Sequence, residues 1–108
     1  MNIPNEDLHP DNLPRRGADF NEIYQFAFTF NGYEYWKSFD KCAEVANRCL
    51  ENYRKTGKLP DTLVELRTCL FFENRRWHHF GDPPDEEVKS YFTEILERIR
   101  NIIEALSD

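Results

Sequence analysis

The sequence predicts an all-α fold, a compact four-helix bundle-like domain that follows an extended N-terminal arm. Apolar residues recur at helical spacing, capping residues and glycines bound these stretches, and short connections join them. The length of 108 residues and the 40% hydrophobic content are those of one domain with a real core. We therefore divide the chain into an arm, residues 1–18, and a single helical domain, residues 19–108.

The arm is predicted to be extended because Pro4, Pro10 and Pro14 lie among Asn and Asp residues with no hydrophobic periodicity. Arg15 and Arg16 follow the last of these prolines. Two charges are too few for a nucleic-acid patch. We expect these arginines to pair with acidic helix faces or with a partner.

The first segment of the domain admits two interpretations. Asp19 followed by Glu22 resembles a capping box, and Gly32 fits the glycine that ends a helix, so a helix is predicted over 19–31. The alternative is a β-hairpin over 24–36 that turns at Asn31-Gly32 and makes the fold α+β. We favour the helix because its pattern begins earlier and carries both caps.

Three later helices have clearer boundaries. The second is predicted over 38–56 and the third from Thr62 to Gly81, because capping residues and glycines bound both. The fourth is predicted over 85–106, after a Pro-Pro break. Its apolar positions form one unbroken stripe: Val88, Tyr91, Phe92, Ile95, Leu96, Ile99, Ile102, Ile103 and Leu106.

Composition narrows the class of protein. The net charge of -6 favours solubility and argues against non-specific binding of nucleic acid. No apolar run approaches the ~18 residues of a membrane span, and the N-terminus lacks the features of a signal peptide. Cys42, Cys49 and Cys69 fit a reducing compartment and are expected to be small buried hydrophobes, with no metal site. We expect a cytoplasmic protein that does not bind membranes.

Sequence motifs of catalysis are absent, so no catalytic residue and no cofactor is predicted. The best candidate for a buried polar site is Glu73, which lies within the apolar arc of the third helix, one turn from Cys69 and Trp77. A carboxylate there must be paired, hydrogen-bonded or protonated. In a functional role, Glu73 is a tuned acid–base group or a contact to a metal or a ligand. In a structural role, it binds a tyrosine, an arginine or a helix N-terminus. We favour the structural role, because structural networks also perturb carboxylates.

A second candidate is the basic edge formed by Arg75, Arg76, His78 and His79. These residues could face phosphate or nucleic acid with neighbouring aromatic rings stacked on bases. The simpler interpretation is a cationic last turn that the helix dipole favours without any ligand.

A third candidate is an interface at Tyr24 and Phe28, because more than half of the chain's aromatic residues lie between residues 20 and 39. The apolar arc of segment 20–30 is wider than a one-sided surface helix needs. Either part of the arc is exposed and pairs two copies of the chain, or the other three helices enclose this segment. We expect a non-enzymatic protein–protein interaction module, a homodimer that also binds another protein. The alternatives are a small-molecule or metal site at Glu73, and nucleic-acid binding through the basic edge.

Overall fold

The structure is a computed structural model that describes residues 13–28 and 37–107, with side chains as far as Ala105. This part of the chain contains helices and no strand, which confirms the all-α prediction. The four helices are α1, Phe20–Ala27; α2, Phe39–Thr56; α3, Leu63–Phe80; and α4, Glu86–Ser107. No helix among the described residues is sufficiently long and apolar to cross a bilayer.

The first segment is a helix, so the hairpin alternative over 24–36 is wrong for the residues of that range that lie in α1. The Asp19 carboxylate accepts a hydrogen bond from the backbone N–H of Glu22 at 2.9 Å, as the predicted cap requires. However, α1 ends at Ala27, because the N–H of Phe28 closes a tight final turn. The expected stop at Gly32 lies outside the described residues.

The boundaries of the other helices agree with the predictions. Side-chain oxygens of Ser38, Thr62 and Asp85 each accept a hydrogen bond from the backbone N–H three residues later. Gly57 and Gly81 follow α2 and α3 with φ of 74° and 68°, a left-handed conformation that glycine adopts without steric cost. Local sequence therefore determines where these helices start and stop.

Among the helices that the structure describes, the enclosed one is α3 and not α1. Helix α3 packs against α1, α2 and α4, while α1 packs on α3 and α4 only. Seven consecutive residues of α3, 68–74, are buried, which covers its whole circumference over about two turns at 3.6 residues per turn. Helix α4 instead buries the described part of the predicted stripe, from Val88 to Ile103, on one side, with Ile102 partly buried.

The described end of the arm is attached to α4. Leu13 is buried in the core, and the guanidinium of the buried Arg100 donates a hydrogen bond to the carbonyl of Pro14. Arg16 pairs with Glu97 at 2.9 Å and with Glu104 at 3.1 Å. The expectation that arm arginines pair with acidic helix faces is therefore confirmed for Arg16.

Candidate functional site

Glu73 is buried on α3, and its partner is an arginine one turn later on the same helix. The Glu73 side chain is only 2% exposed, and its Oε1 accepts a hydrogen bond from Nε of Arg76 at 3.0 Å. A terminal nitrogen of Arg76 donates in turn to the Asn47 amide oxygen on α2 at 2.7 Å. The pair therefore also joins α3 to α2.

Burial raises the pKa of Glu73 above its ordinary value, because a charged carboxylate loses hydration in the core. The positive charge and hydrogen bond of Arg76 oppose this rise, as does the more distant charge of Arg54. Since the pKa remains raised, the arginines offset only part of the cost of burying the carboxylate.

A small recess opens beside this pair between α2, α3 and the start of α4. It has a volume of about 150 Å³, and its charged lining includes Arg54, Arg76, Glu73 and Asp82. The cations are already engaged, since Arg54 binds Glu87 at 2.8 Å and Arg76 binds Glu73. The recess is therefore polar and internally paired.

The predicted neighbours of Glu73 lie in different surroundings. The Cys69 thiol is close enough for the Glu73 charge to contribute to the raised pKa of Cys69, after its hydrogen bond to Cys49 and its burial. Trp77 instead packs toward α1, with its ring 4.8 Å from that of Tyr24 and 6.3 Å from that of Phe20. The structure thus associates Cys69 with Glu73 and directs Trp77 to an aromatic cluster.

The two arginines of the basic edge point to different neighbours. The Arg75 guanidinium lies over the rings of Phe28 and Phe71, 5.2 Å and 4.8 Å from their centroids. That of Arg76 lies over Phe72 at 4.9 Å, on the α2 side. Burial lowers the pKa of Arg75. Arg75 and Arg76 therefore do not form one continuous basic surface.

The two histidines of this edge lie at the exposed end of α3. His78 packs edge-on against the ring of Phe28 at 5.1 Å, and its own ring is 4.9 Å from that of His79. Within the part of the chain that the structure describes, no group of three histidine, cysteine or acidic residues is arranged to hold a metal ion. The structure shows neighbouring rings here but no chelating set.

Tyr24 is a core residue, so the expectation that it lies at the outer edge of an exposed arc is wrong. It is 9% exposed and contacts the rings of Phe20, Phe28, Trp77 and Phe92. Phe28 is half-buried beside it. The predicted interface residues therefore contribute to packing between α1 and its neighbours.

Three buried polar residues were not predicted from the sequence: Thr68, Asn74 and Arg100. Asn74 is fully buried, and its amide nitrogen donates to the Tyr24 carbonyl at 3.0 Å, while the Tyr24 hydroxyl donates to the Asn74 carbonyl at 3.4 Å. Arg100, 6% exposed, lies under the arm. Asn74 lies at the edge of the apolar arc of α3, one turn from Leu70 and Trp77. Arg100 lies at the edge of the stripe of α4, one turn from Leu96 and Ile103. A pattern of apolar residues does not predict the burial of either residue, because both side chains are polar.

The exposed large hydrophobic residues of the described chain lie near the end of α3. Phe80 is 64% exposed, Phe39 is 40% exposed and Trp77 is 37% exposed. The ring of Phe39 lies 6.2 Å from that of Phe80 and 5.7 Å from that of the buried Phe72. We refer to Phe39, Phe72 and Phe80 as the aromatic patch.

A wider groove of about 790 Å³ lies between the end of α2 and α4. Arg98 lines it and donates to the carbonyls of Leu59 and Pro60, at 3.4 Å and 3.2 Å. Tyr53 donates a hydrogen bond to Glu94 nearby, which raises the pKa of Tyr53 to about 12. These polar groups hold the connection after α2 against α4.

Comparisons with protein-family models, with curated proteins and with solved structures found no match to this chain.

Proposed function

We propose that this protein is a non-enzymatic protein–protein interaction module that acts as a homodimer through the aromatic patch. The observation that carries the proposal is the exposure of Phe80, which leaves 64% of a large apolar residue in water. Phe39 lies against it and is also exposed. Adjacent exposed aromatic rings are typical of protein interfaces, because covering them removes apolar surface from water.

A second copy of the chain fits this patch because a hydrogen-bond acceptor and a hydrogen-bond donor flank it. Asp40 follows Phe39 at the start of α2, and His79 precedes Phe80 at the end of α3; both are exposed. In a two-fold dimer, a residue of one copy meets a different residue of the other and the contact occurs twice. Asp40 can then face His79 of the second copy on both sides, so that the carboxylate accepts a hydrogen bond from the imidazole N–H.

We also propose that the protein is cytoplasmic. Cys42, Cys49 and Cys69 are free thiols in the structure, and free thiols persist in reducing compartments.

Light scattering during size-exclusion chromatography tests the homodimer. The wild-type protein should elute with the mass of two chains, and Phe80→Ser should elute with the mass of one. The melting temperature of the monomer should change little, because surface substitutions usually alter stability by about 0.5 kcal/mol or less. A wild-type mass of one chain at all concentrations would contradict the proposal.

Phe28→Ser is the matched comparison. It makes the same change, phenylalanine to serine, at the interface that the sequence predicts at Tyr24 and Phe28. The proposal expects Phe28→Ser to remain a dimer if it is folded, as checked by circular dichroism. A Phe28→Ser monomer together with a Phe80→Ser dimer would move the interface to α1.

A second candidate function is binding of a small molecule in the recess beside Glu73. Its support is the volume of about 150 Å³ next to a buried carboxylate and two guanidinium groups. A ligand in this recess would have to compete with the existing Glu73–Arg76 and Arg54–Glu87 ion pairs. This requirement makes it the weaker candidate.

A further inference from the structure

The described end of the arm is held against the domain by three kinds of contact. The apolar side chain of Leu13 is 8% exposed and belongs to the core. The carbonyl of Pro14 accepts a hydrogen bond from Arg100, and the guanidinium of Arg16 binds two carboxylates of α4. Sites that recognise peptides use the same contacts, because main-chain hydrogen bonds supply affinity and side-chain positions supply specificity.

Arg100 binds the main chain of the arm and keeps an unused hydrogen-bond donor. Its side chain is only 8% exposed, and its Nε has no hydrogen-bond partner among the described residues. Oε1 of Glu97 lies 3.8 Å from this Nε, which is too far for a hydrogen bond. A buried donor without an acceptor is unfavourable, so the arm does not offer Arg100 all the acceptors that this side chain can bind.

Glu97 and Glu104 form the charged part of this contact. They lie two helical turns apart on α4, and both bind the guanidinium of Arg16. All three side chains are exposed to solvent, from 38% to 57%. Exposed ion pairs contribute little to stability, so the two carboxylates select an arginine at this position without holding the arm firmly.

The groove between the end of α2 and α4 begins at the same carboxylate. Glu97 lines this groove of about 790 Å³, together with Asn101 on α4 and Asn52 on α2. No residue of the described arm, 13–18, contributes to its lining. A longer segment bound in place of the arm therefore has room for residues that the arm does not supply.

We propose that α4 carries a docking site for an extended segment of another protein, with an apolar residue and, three positions later, an arginine. The site consists of Glu97, Arg100, Glu104 and the core position that Leu13 fills, and we call it the arm site. The arm occupies the arm site until the partner displaces it. This inference goes beyond the proposed homodimer, since the arm site and the aromatic patch share no residue.

Displacement of the arm is feasible because Leu13 is the only buried residue of its described end. The attached arm has the advantage of a high effective concentration, which is millimolar for short flexible linkers. A partner overcomes this advantage with contacts that the arm lacks. It can supply an acceptor to Nε of Arg100 and place further residues in the groove beside Glu97.

The test titrates a synthetic peptide with the sequence of residues 11–18 into the isotope-labelled full chain and follows the backbone amide resonances. This peptide carries the required apolar residue and arginine. The host is Leu13→Ser/Arg16→Ser, whose own arm no longer fills the arm site. Saturable shifts are expected around Arg100, and the wild-type protein should need about tenfold more peptide for the same shift, since its attached arm competes. A folded host without such shifts would overturn the proposal.

Charge variants of the host test the assigned carboxylates. Adding Glu97→Gln/Glu104→Gln should weaken peptide binding, because the arginine of the peptide loses both partners. Glu44→Gln/Glu51→Gln makes the same change at two exposed positions of α2 and should leave binding unchanged. Equal binding by these two variants would show that the peptide does not use the arm site.

If Leu13→Ser/Arg16→Ser fails to fold, Arg16→Glu replaces it as the host, because position 16 is exposed and the reversed charge repels both carboxylates. This host should bind the peptide more tightly than the wild-type protein does, and equal binding would overturn the proposal.

Phe80→Ser separates the arm site from the homodimer. When it is added to the host, peptide binding should persist, whatever the mass of the protein in solution. A Phe80→Ser chain with an unaltered arm that has the mass of two chains, and becomes a monomer in excess peptide, would assign the arm site to the arm of a second copy. That result would overturn the proposal of a different partner.

Discussion

Helices α3 and α4 show two ways of contributing to one core. Helix α4 buries one apolar face, with Ile95, Leu96 and Ile99 at most 2% exposed, and most of its polar residues face solvent. Helix α3 is buried around its circumference between residues 68 and 74. A one-sided helix is stabilised mainly by non-directional apolar burial, whereas an enclosed helix must also satisfy every polar side chain that it buries.

The polar residues buried on α3 each have a specific partner. Thr68 donates to the Val64 carbonyl at 2.7 Å, Glu73 binds Arg76, and Asn74 binds the backbone of Tyr24. The Thr68 and Glu73 bonds stay within the helix, but Arg76 also donates to Asn47 of α2. The Asn74 bonds fix the position of α3 relative to α1. The orientation of α3 therefore depends on a few directional contacts.

The largest effect is expected from a charge in the stripe of α4. Ile95→Asp places an unpaired carboxylate at a position that is 1% exposed. The free energy of unfolding should fall by about 4 kcal/mol or more. Circular dichroism during urea denaturation should show an unfolded or strongly destabilised domain. An unchanged denaturation midpoint would show that the stripe is not the core.

A smaller effect is expected where α3 holds α1. Asn74→Ala removes the amide that binds the Tyr24 carbonyl and leaves that buried acceptor unpaired, at a cost of about 2–3 kcal/mol. Asn101→Ala, at an exposed position of α4, is the matched control and should change stability by about 0.5 kcal/mol or less. Equal midpoints for the two variants would remove the directional role assigned to Asn74.

The smallest effect is expected at the ion pair. Glu73→Gln should cost only about 1 kcal/mol near neutral pH, because burial already makes the charged carboxylate unfavourable and the amide still accepts a hydrogen bond. Glu44→Gln, at an exposed position of α2, is the control.

The stability difference between the wild-type protein and Glu73→Gln should change with pH in one direction. Because the pKa of Glu73 in the fold is raised above 4.5, its stabilising contribution is complete below pH 4.5 and is lost as pH rises through the folded pKa. The advantage of the wild-type protein over Glu73→Gln should therefore be larger near pH 4.5 than at pH 7. A larger advantage at pH 7 would show that the charged carboxylate stabilises the fold. A wild-type melting temperature that rises with added divalent metals would favour the functional role of Glu73.

Much of the fold follows from local sequence. The caps at Asp19, Ser38 and Thr62 act on backbone groups only three residues away, so they are recognisable without knowledge of the tertiary structure. The stripe of α4 is equally legible, because its period of 3.6 residues is a property of the helix itself. The burial of Glu73 was also predicted, since its position within an apolar arc is visible in the sequence.

Residue patterns alone therefore predicted the helices, the stripe of α4 and the burial of Glu73. The packing of the helices is what encloses α3, binds Asn74 to α1 and buries Tyr24. The physical reason is that periodicity identifies which face of a single helix is apolar. The contacts between helices depend instead on how the helices pack against one another. Directional bonds between residues distant in sequence exist only after that packing has formed.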